Sequence, residues 1–143
     1  MTWYKNLPFE LVIPIEMPKR AMSGWRDAIE VLADSMKTFD VKVTVVRLHY
    51  HVPPRQRFGE KHPMGETVSE DGEITLCSND VDTVVHELAH VKSNENHTPK
   101  WARAYFKFAD YYMDEEYVRD AMKHASQFYP SVRKIARERG IIG

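Results

Sequence analysis

Apolar residues recur along this chain at two different spacings. Trp25, Ile29, Leu32 and Met36 fall at helical intervals, with Arg26, Asp27, Glu30, Asp34 and Lys37 mostly on the other side. That pattern, preceded by Pro18, predicts a helix over about 20–39. The next stretch, VKVTVVRLHYH at 41–51, is rich in β-branched residues and too alternating for a helix, which predicts a strand. GEITLC at 72–77 reads as a second strand, led in by the turn pair Asp71-Gly72. Upstream, residues 9–15 form a short extended segment that Pro8 and Pro14 confine to an edge or irregular strand.

Residues 52–71 carry three prolines, two glycines and mixed charge. A connection of that length is unusual inside a compact domain. It reads either as hiding a short strand near Arg57–Gly59 or as a lid over a site. Ser78, Asn79 and Asp80 then offer N-cap oxygens to a helix through about Val91, whose buried side is Val84, Val85, Leu88 and Val91. The polar run SNENH stops it. Thr98 as N-cap and Pro99 at the first helical position start another, carrying Trp101, Tyr105, Phe108 and Tyr112. Further helical stretches run to about Phe128 and from Ser131 to about Arg139, separated by Pro130. A helix, two strands around a long connection, and then helices predict an α+β domain with a small sheet covered on one side.

The 143 residues suit one domain with a single core, spanning 1–143. Twenty basic and 21 acidic side chains nearly cancel, so charge gives no reason to expect nucleic acid or anionic lipid as a partner. No apolar run is long enough to span a bilayer, and Glu10 with three prolines interrupts the apolar patch near the start, so neither a membrane span nor a signal peptide is expected. Cys77 is the single cysteine, which fits a reducing, cytoplasmic setting.

Candidate chemistry concentrates in HELAHVKSNENH, residues 86–97. On a helix, His86 and His90 share a face one turn apart and can aim ring nitrogens at one ion. Zn2+ accepts imidazole nitrogen at about 2.0–2.1 Å. Glu87 lies about 100° further round. It is poorly placed to ligate with both histidines, but well placed to reach a water on the ion as general base. A catalytic zinc needs a third protein ligand and an open position. Ser93, Asn94 and Asn96 are poor helix-interior residues, and asparagine tolerates the left-handed conformation that ends helices. The chain can therefore turn back, presenting His97 just before the Thr98 cap. His86, His90 and His97 are the expected metal ligands. One of Asp110, Asp114, Glu115 and Glu116 in place of His97 is the alternative, set against their reading as a solvated face.

The segment TLCSNDVDTVVHELAHVKSNENHTPKWARAYFKF resembles the active-site region of SprT-like zinc metallopeptidases, within the zincin group. The likeness runs from about Ala21 to Phe108 and is concentrated between Ile74 and Trp101. It rests on a strand leading into HExxH, a short polar turn, and a third histidine followed by a small or polar residue, proline and an aromatic, here His97-Thr98-Pro99-Lys100-Trp101. It implies a zincin-like fold with a small mixed or antiparallel sheet, Zn2+ on His86, His90 and His97, and Glu87 as the catalytic carboxylate. The implied activity is hydrolysis of a peptide or protein substrate by a zinc-activated water. Metzincin spacing fits poorly, because Ser93 and Asn96 stand where that family has glycine and histidine. Many SprT-like proteins carry a cysteine zinc ribbon or a DNA-binding tail. One cysteine cannot build a ribbon in these residues, so a DNA-linked substrate is not expected. A noncatalytic interaction protein retaining a structural zinc is the competing reading, and Glu87 argues against a metal-dependent nuclease.

Other residues carry weaker expectations. An extended substrate is expected to pair with a free edge of the strand Glu73–Cys77. Asp82, one turn before His86, either orients that ring or simply sits as an acid in the first helical turn. Tyr105, Tyr111, Tyr112 and several arginines are candidates for oxyanion stabilisation, none of them singled out. His49 and His51 share a strand face and read as partly exposed sheet histidines rather than a second metal site. Cys77 reads as a packing residue, and Arg133, Lys134, Arg137 and Arg139 as a solvated final helix.

Overall fold

A computed structural model describes residues 3–49 and 70–143 in full and the backbone of 65–68. Three strands, β1 (Glu10–Val12), β2 (Val45–Leu48) and β4 (Glu73–Leu76), run parallel, and β3 (Gly65–Val68) closes the sheet antiparallel to β4. The order across the sheet is β1-β2-β4-β3. The architecture is thus the expected α+β arrangement with a mixed sheet. Five helices accompany it: α1 (Arg26–Thr38), α2 (Val81–Ser93), α3 (Pro99–Tyr112), α4 (Glu115–Ser126) and α5 (Pro130–Glu138).

Alternation in β2 and β4 decides which sheet face the helices cover. Val46, Leu48, Ile74 and Leu76 are buried and join one core with Ile29 and Leu32 of α1, Val84, Val85 and Leu88 of α2, and Trp101, Tyr105 and Phe108 of α3. On the opposite face Arg47 pairs with Glu73 at 2.8 Å, still partly in water. Burying an aromatic or aliphatic side chain of this kind contributes about 1.5–3 kcal/mol. The three aromatics of α3, packed along α2, therefore help fix α2 against the rest of the core.

Several boundaries moved from their sequence positions. The helix expected over about 20–39 opens as a 3-10 segment, Lys19–Trp25, before α1 begins. At its far end Ser35 is buried rather than Met36, and the Ser35 hydroxyl satisfies itself on the Leu32 carbonyl at 2.7 Å. The strand expected over 41–51 shrinks to 45–48, and its last two positions lie outside the described residues. Val41 and Val43 are buried without joining a ladder, because the chain there is tied to the β3–β4 turn. Thr44 donates its N–H to the Gly72 carbonyl at 2.9 Å and its hydroxyl to the Asp71 carbonyl. Gly72 has φ +69°, and a Cβ there would sit 2.3 Å from the Lys42 carbonyl oxygen. That close approach requires glycine.

β3 falls within the stretch read as a long connection; the strand considered near Arg57–Gly59 lies outside the described residues. Its partner β4 is an inner strand, hydrogen-bonded to β2 on one side and β3 on the other. The free edge expected on Glu73–Cys77 is therefore already occupied.

Helix ends follow their signals more closely. Thr98 accepts the Trp101 N–H at 3.3 Å with Pro99 at the first helical position, and Asp114 accepts the Tyr117 N–H at 2.8 Å to start α4. Asp80 stands at the N-cap of α2 without capping through its side chain. Asn79 instead donates to the Gly24 carbonyl at 2.8 Å, pinning the start of α2 to the 3-10 segment.

Candidate active site

α2 runs through the motif and two residues beyond the expected end. Ser93, its last residue, is buried, and its hydroxyl donates to the Ala89 carbonyl at 2.7 Å. Asn94 then takes the left-handed conformation, φ +54°, and its N–H closes the helix on the His90 carbonyl at 2.9 Å. The stop anticipated at the asparagines is there. His97 is also left-handed, φ +51°, which is uncommon for a residue other than glycine.

This turn returns His97 to the two helical histidines. His86 Nε2 lies 3.3 Å from His90 Nε2 and 3.3 Å from His97 Nε2. All three ligand atoms fall within 4.8 Å of one another. Two nitrogens that each lie about 2.0–2.1 Å from one tetrahedral centre are separated by about 3.3 Å. The donor set and its spacing therefore fit a metal ion. His90 Nδ1 lies 2.9 Å from the Glu95 carbonyl. That bond makes Nδ1 the donor and leaves the Nε2 lone pair facing the other rings.

Electrostatics favour lone pairs over protons here. Burial, with the neighbouring His90 and His97, pushes the His86 pKa down to about 3. Burial lowers that of His90 too, partly opposed by its bond to Glu95. Apolar rings cause the burial. Trp101 is fully buried and touches all three imidazoles, with centroids 4.9 Å from His86, 5.3 Å from His90 in a stacked arrangement and 4.6 Å from His97. Its indole N–H donates to the His86 carbonyl at 3.3 Å. Glu87 is 4% exposed, and its Oε2 lies 4.0 Å from His86 Nε2. The carboxylate thus stands beside the cluster without joining the three nitrogens.

Asp82 does not act on His86 directly. It accepts the hydroxyl of Tyr105, whose ring lies 5.6 Å from that of His86. Burial raises the Asp82 pKa, and the Tyr105 bond partly offsets the rise. Tyr105 is itself buried within the core, while the Tyr112 hydroxyl is spent on Asp34 at 2.7 Å and Tyr111 lies exposed against Phe39. Among the described residues no acid joins the histidine cluster. Asp110 pairs with Arg139 at 2.9 Å, Asp114 caps α4, and Glu115 and Glu116 are exposed. His49 is exposed and His51 lies outside the described residues; Cys77 is half-buried just ahead of α2. In the final helix Lys134 and Arg137 are exposed, but Arg133 donates to the Ser126 carbonyl at 3.0 Å, and Arg139 covers the Phe106 ring at 4.8 Å.

Sequence reasoning missed Tyr129. Its ring stacks on His97 with centroids 4.3 Å apart and planes 29° off parallel, and it lies 5.6 Å from His86. Burial raises its pKa, with Glu87 and then Asp82 adding to the rise, which places the phenol within the field of the candidate carboxylate. Its own neighbourhood carries no signal for this role, since Tyr129 simply precedes Pro130 at the start of α5.

No protein-family profile matches the chain, and no curated protein matches it in sequence. A solved structure is similar in fold: the crystal structure of a Wss1 mutant from Saccharomyces cerevisiae superposes with a TM-score of 0.54 at 18% identity. The match covers 73% of this chain and 88% of that one. At this identity the likeness is one of fold, a zincin-like α+β arrangement. No helix among the described residues is long and apolar enough to cross a membrane.

Proposed function

We propose that this protein is a zinc-dependent metallopeptidase, with His86, His90 and His97 as metal ligands and Glu87 as general base. One observation carries the reading: Nε2 atoms 3.3 Å apart in two pairs, with a buried carboxylate oxygen 4.0 Å from the shared histidine. The resemblance of residues 74–101 to SprT-like peptidases and the fold shared with Wss1 support it.

Bound zinc would supply Lewis acidity, polarising the scissile carbonyl and making water a better nucleophile at neutral pH. The protein supplies the rest. Glu87 takes the proton from the attacking water and returns it to the leaving amine. The depressed pKa of His86 and the Nδ1 bond of His90 keep ring nitrogens unprotonated and oriented. Tyr129, whose ring lies against His97 and His86 and whose raised pKa comes from burial and then from Glu87, is the candidate donor to a developing oxyanion. β3, the antiparallel outer strand lying against α2, offers the backbone edge to which an extended peptide adds as a further strand.

The test is Glu87→Gln. It should retain wild-type zinc by elemental analysis and an unchanged melting temperature, while cleavage of a peptide library falls by about 10²–10⁴-fold. Undiminished cleavage by the variant, or wild-type protein that holds no zinc, would overturn the proposal. A noncatalytic protein with a structural zinc is the outcome in which neither form cleaves.

A further inference from the structure

His86 and His90 owe their positions to a 13-residue helix, whose backbone is fixed by its own hydrogen bonds. His97 has no such support. It lies in the turn between α2 and α3, flanked by exposed Asn94 and Asn96, with a left-handed backbone. Thr98 beside it caps α3 and also donates to the Glu95 side chain, which fixes the backbone after His97 but not its ring. Its ring nevertheless stands with Nε2 3.3 Å from His86 Nε2.

The α4–α5 turn makes two contacts with His97, one to the ring and one to the backbone. The Tyr129 ring stacks on the imidazole at 4.3 Å, next to the edge contact from Trp101 at 4.6 Å, with the Trp101 and Tyr129 rings themselves 5.3 Å apart. The Ser131 hydroxyl donates to the His97 carbonyl at 2.8 Å, across 34 positions of sequence. Tyr129 is itself held at both ends. Its N–H donates to the Ala125 carbonyl of α4 at 2.9 Å, and its carbonyl accepts from Val132 and Arg133 of α5 at 3.1 and 3.0 Å. Arg133 reaches back to the Ser126 carbonyl at 3.0 Å, closing the turn. A rigid two-helix unit thus presents one ring and one hydroxyl to the same histidine.

We infer that Tyr129 and Ser131 are positioning residues for the metal centre, a clamp that holds His97 in ligating geometry from the C-terminal helix pair. The inference rests on the assignment of His97 as third ligand. Removing either contact leaves the two helical ligands intact and loosens the hold on the third. Loss of comparable outer contacts to metal ligands costs about 10–100-fold in metal affinity. The Tyr129 hydroxyl has no part in the stack, so Tyr129→Phe separates the clamp from any proton donation by the phenol.

The experiment is zinc affinity by chelator competition, together with the visible absorption of Co2+-loaded protein and melting of the metal-free form. The variants are Ser131→Ala, Ser131→Thr, Tyr129→Ala, Tyr129→Phe and His97→Ala. Ser131→Ala and Tyr129→Ala should each weaken zinc about 10–100-fold and shift the Co2+ spectrum toward that of His97→Ala. Ser131→Thr and Tyr129→Phe should stay within about threefold of wild type. If Tyr129→Ala does not fold, Ser131→Ala, which removes one hydroxyl, decides alone. Wild-type affinity and spectrum in folded Ser131→Ala would overturn the clamp while His97→Ala still weakened zinc. Unchanged affinity in His97→Ala would instead sink the ligand assignment beneath it. A loss of melting temperature without a change in affinity or spectrum would show an ordinary packing role and overturn the clamp.

Discussion

The buried histidine cluster makes the metal-free protein acid-sensitive in a calculable way. Folded His86 has its pKa depressed to about 3 by burial and two neighbouring imidazoles, against about 6.5 for an exposed ring. Between those values the unfolded chain binds the extra proton. Stability therefore rises with pH through the window and is lost on acidification. Each unit of difference is about 1.36 kcal/mol, so the full span is worth about 5 kcal/mol and the descent from pH 7 to pH 5 about 2 kcal/mol. The side chain is 20% exposed, so solvent screening takes little from this. Two neighbours complicate the raw curve. His90, also depressed, adds loss on acidification, whereas Asp82, whose pKa is raised, opposes it as pH falls through its own range. The clean quantity is the difference between wild type and His86→Leu, in which both contributions largely cancel. Urea unfolding of the two proteins in chelator at pH 7, 6 and 5 should show wild type losing about 2 kcal/mol more than the variant. Parallel stability curves would refute the claim that the site holds His86 neutral by burial.

Three further outcomes follow from the same geometry. Zinc binding at pH 6.5, followed by calorimetry in buffers of different ionisation enthalpy, should release fewer than about one proton, against about 1.5 for three free imidazoles, because His86 is already deprotonated and the lowered pKa of His90 leaves it less protonated than a free ring. Gly72→Ala should destabilise by about 2–4 kcal/mol in urea unfolding, from a left-handed backbone and a Cβ pressed onto the Lys42 carbonyl; less than about 1 kcal/mol would mean that the turn simply moves away. Tyr105→Phe should cost about 1–3 kcal/mol in the same assay by stripping Asp82 of its donor, and leave zinc affinity within about threefold, since Tyr105 reaches the metal site only by ring contact.

What the sequence made legible was local. The i, i+4 histidines, the asparagine stop at Asn94, the Thr98-Pro99 restart and the aromatic stripe of α3 each depend on residues within about one or two turns, and each stands where its pattern put it. The mixed sheet was legible as a class but not in its order. β4 lies between β2 and β3, paired to β2 across a long stretch of chain that no periodicity encodes and to β3 as a hairpin, and together these pairings remove the free edge expected on Glu73–Cys77. β3 itself, Gly-Glu-Thr-Val, carries one large apolar residue, too few to signal a strand. Tyr129 was hidden for the same reason as the sheet order: its partner is 32 positions away, and its own neighbourhood reads only as the start of a helix.

Three departures from local rule meet at one place. Burial of Glu87, the left-handed φ of His97 and the depressed pKa of His86 all lie at the histidine cluster. Each is unfavourable by itself: a carboxylate resists leaving water, and a β-carbon resists positive φ. A plain surface helix with scattered histidines needs none of them, since exposed imidazoles keep ordinary pKa values and tolerate any neighbour. The surrounding core of Trp101, Tyr105 and the α4–α5 turn packs around all three, with Trp101 and Tyr129 touching the imidazoles directly. Unfavourable local choices held in register by well-packed neighbours are what a preorganised site demands, and here they converge on three nitrogens and one carboxylate.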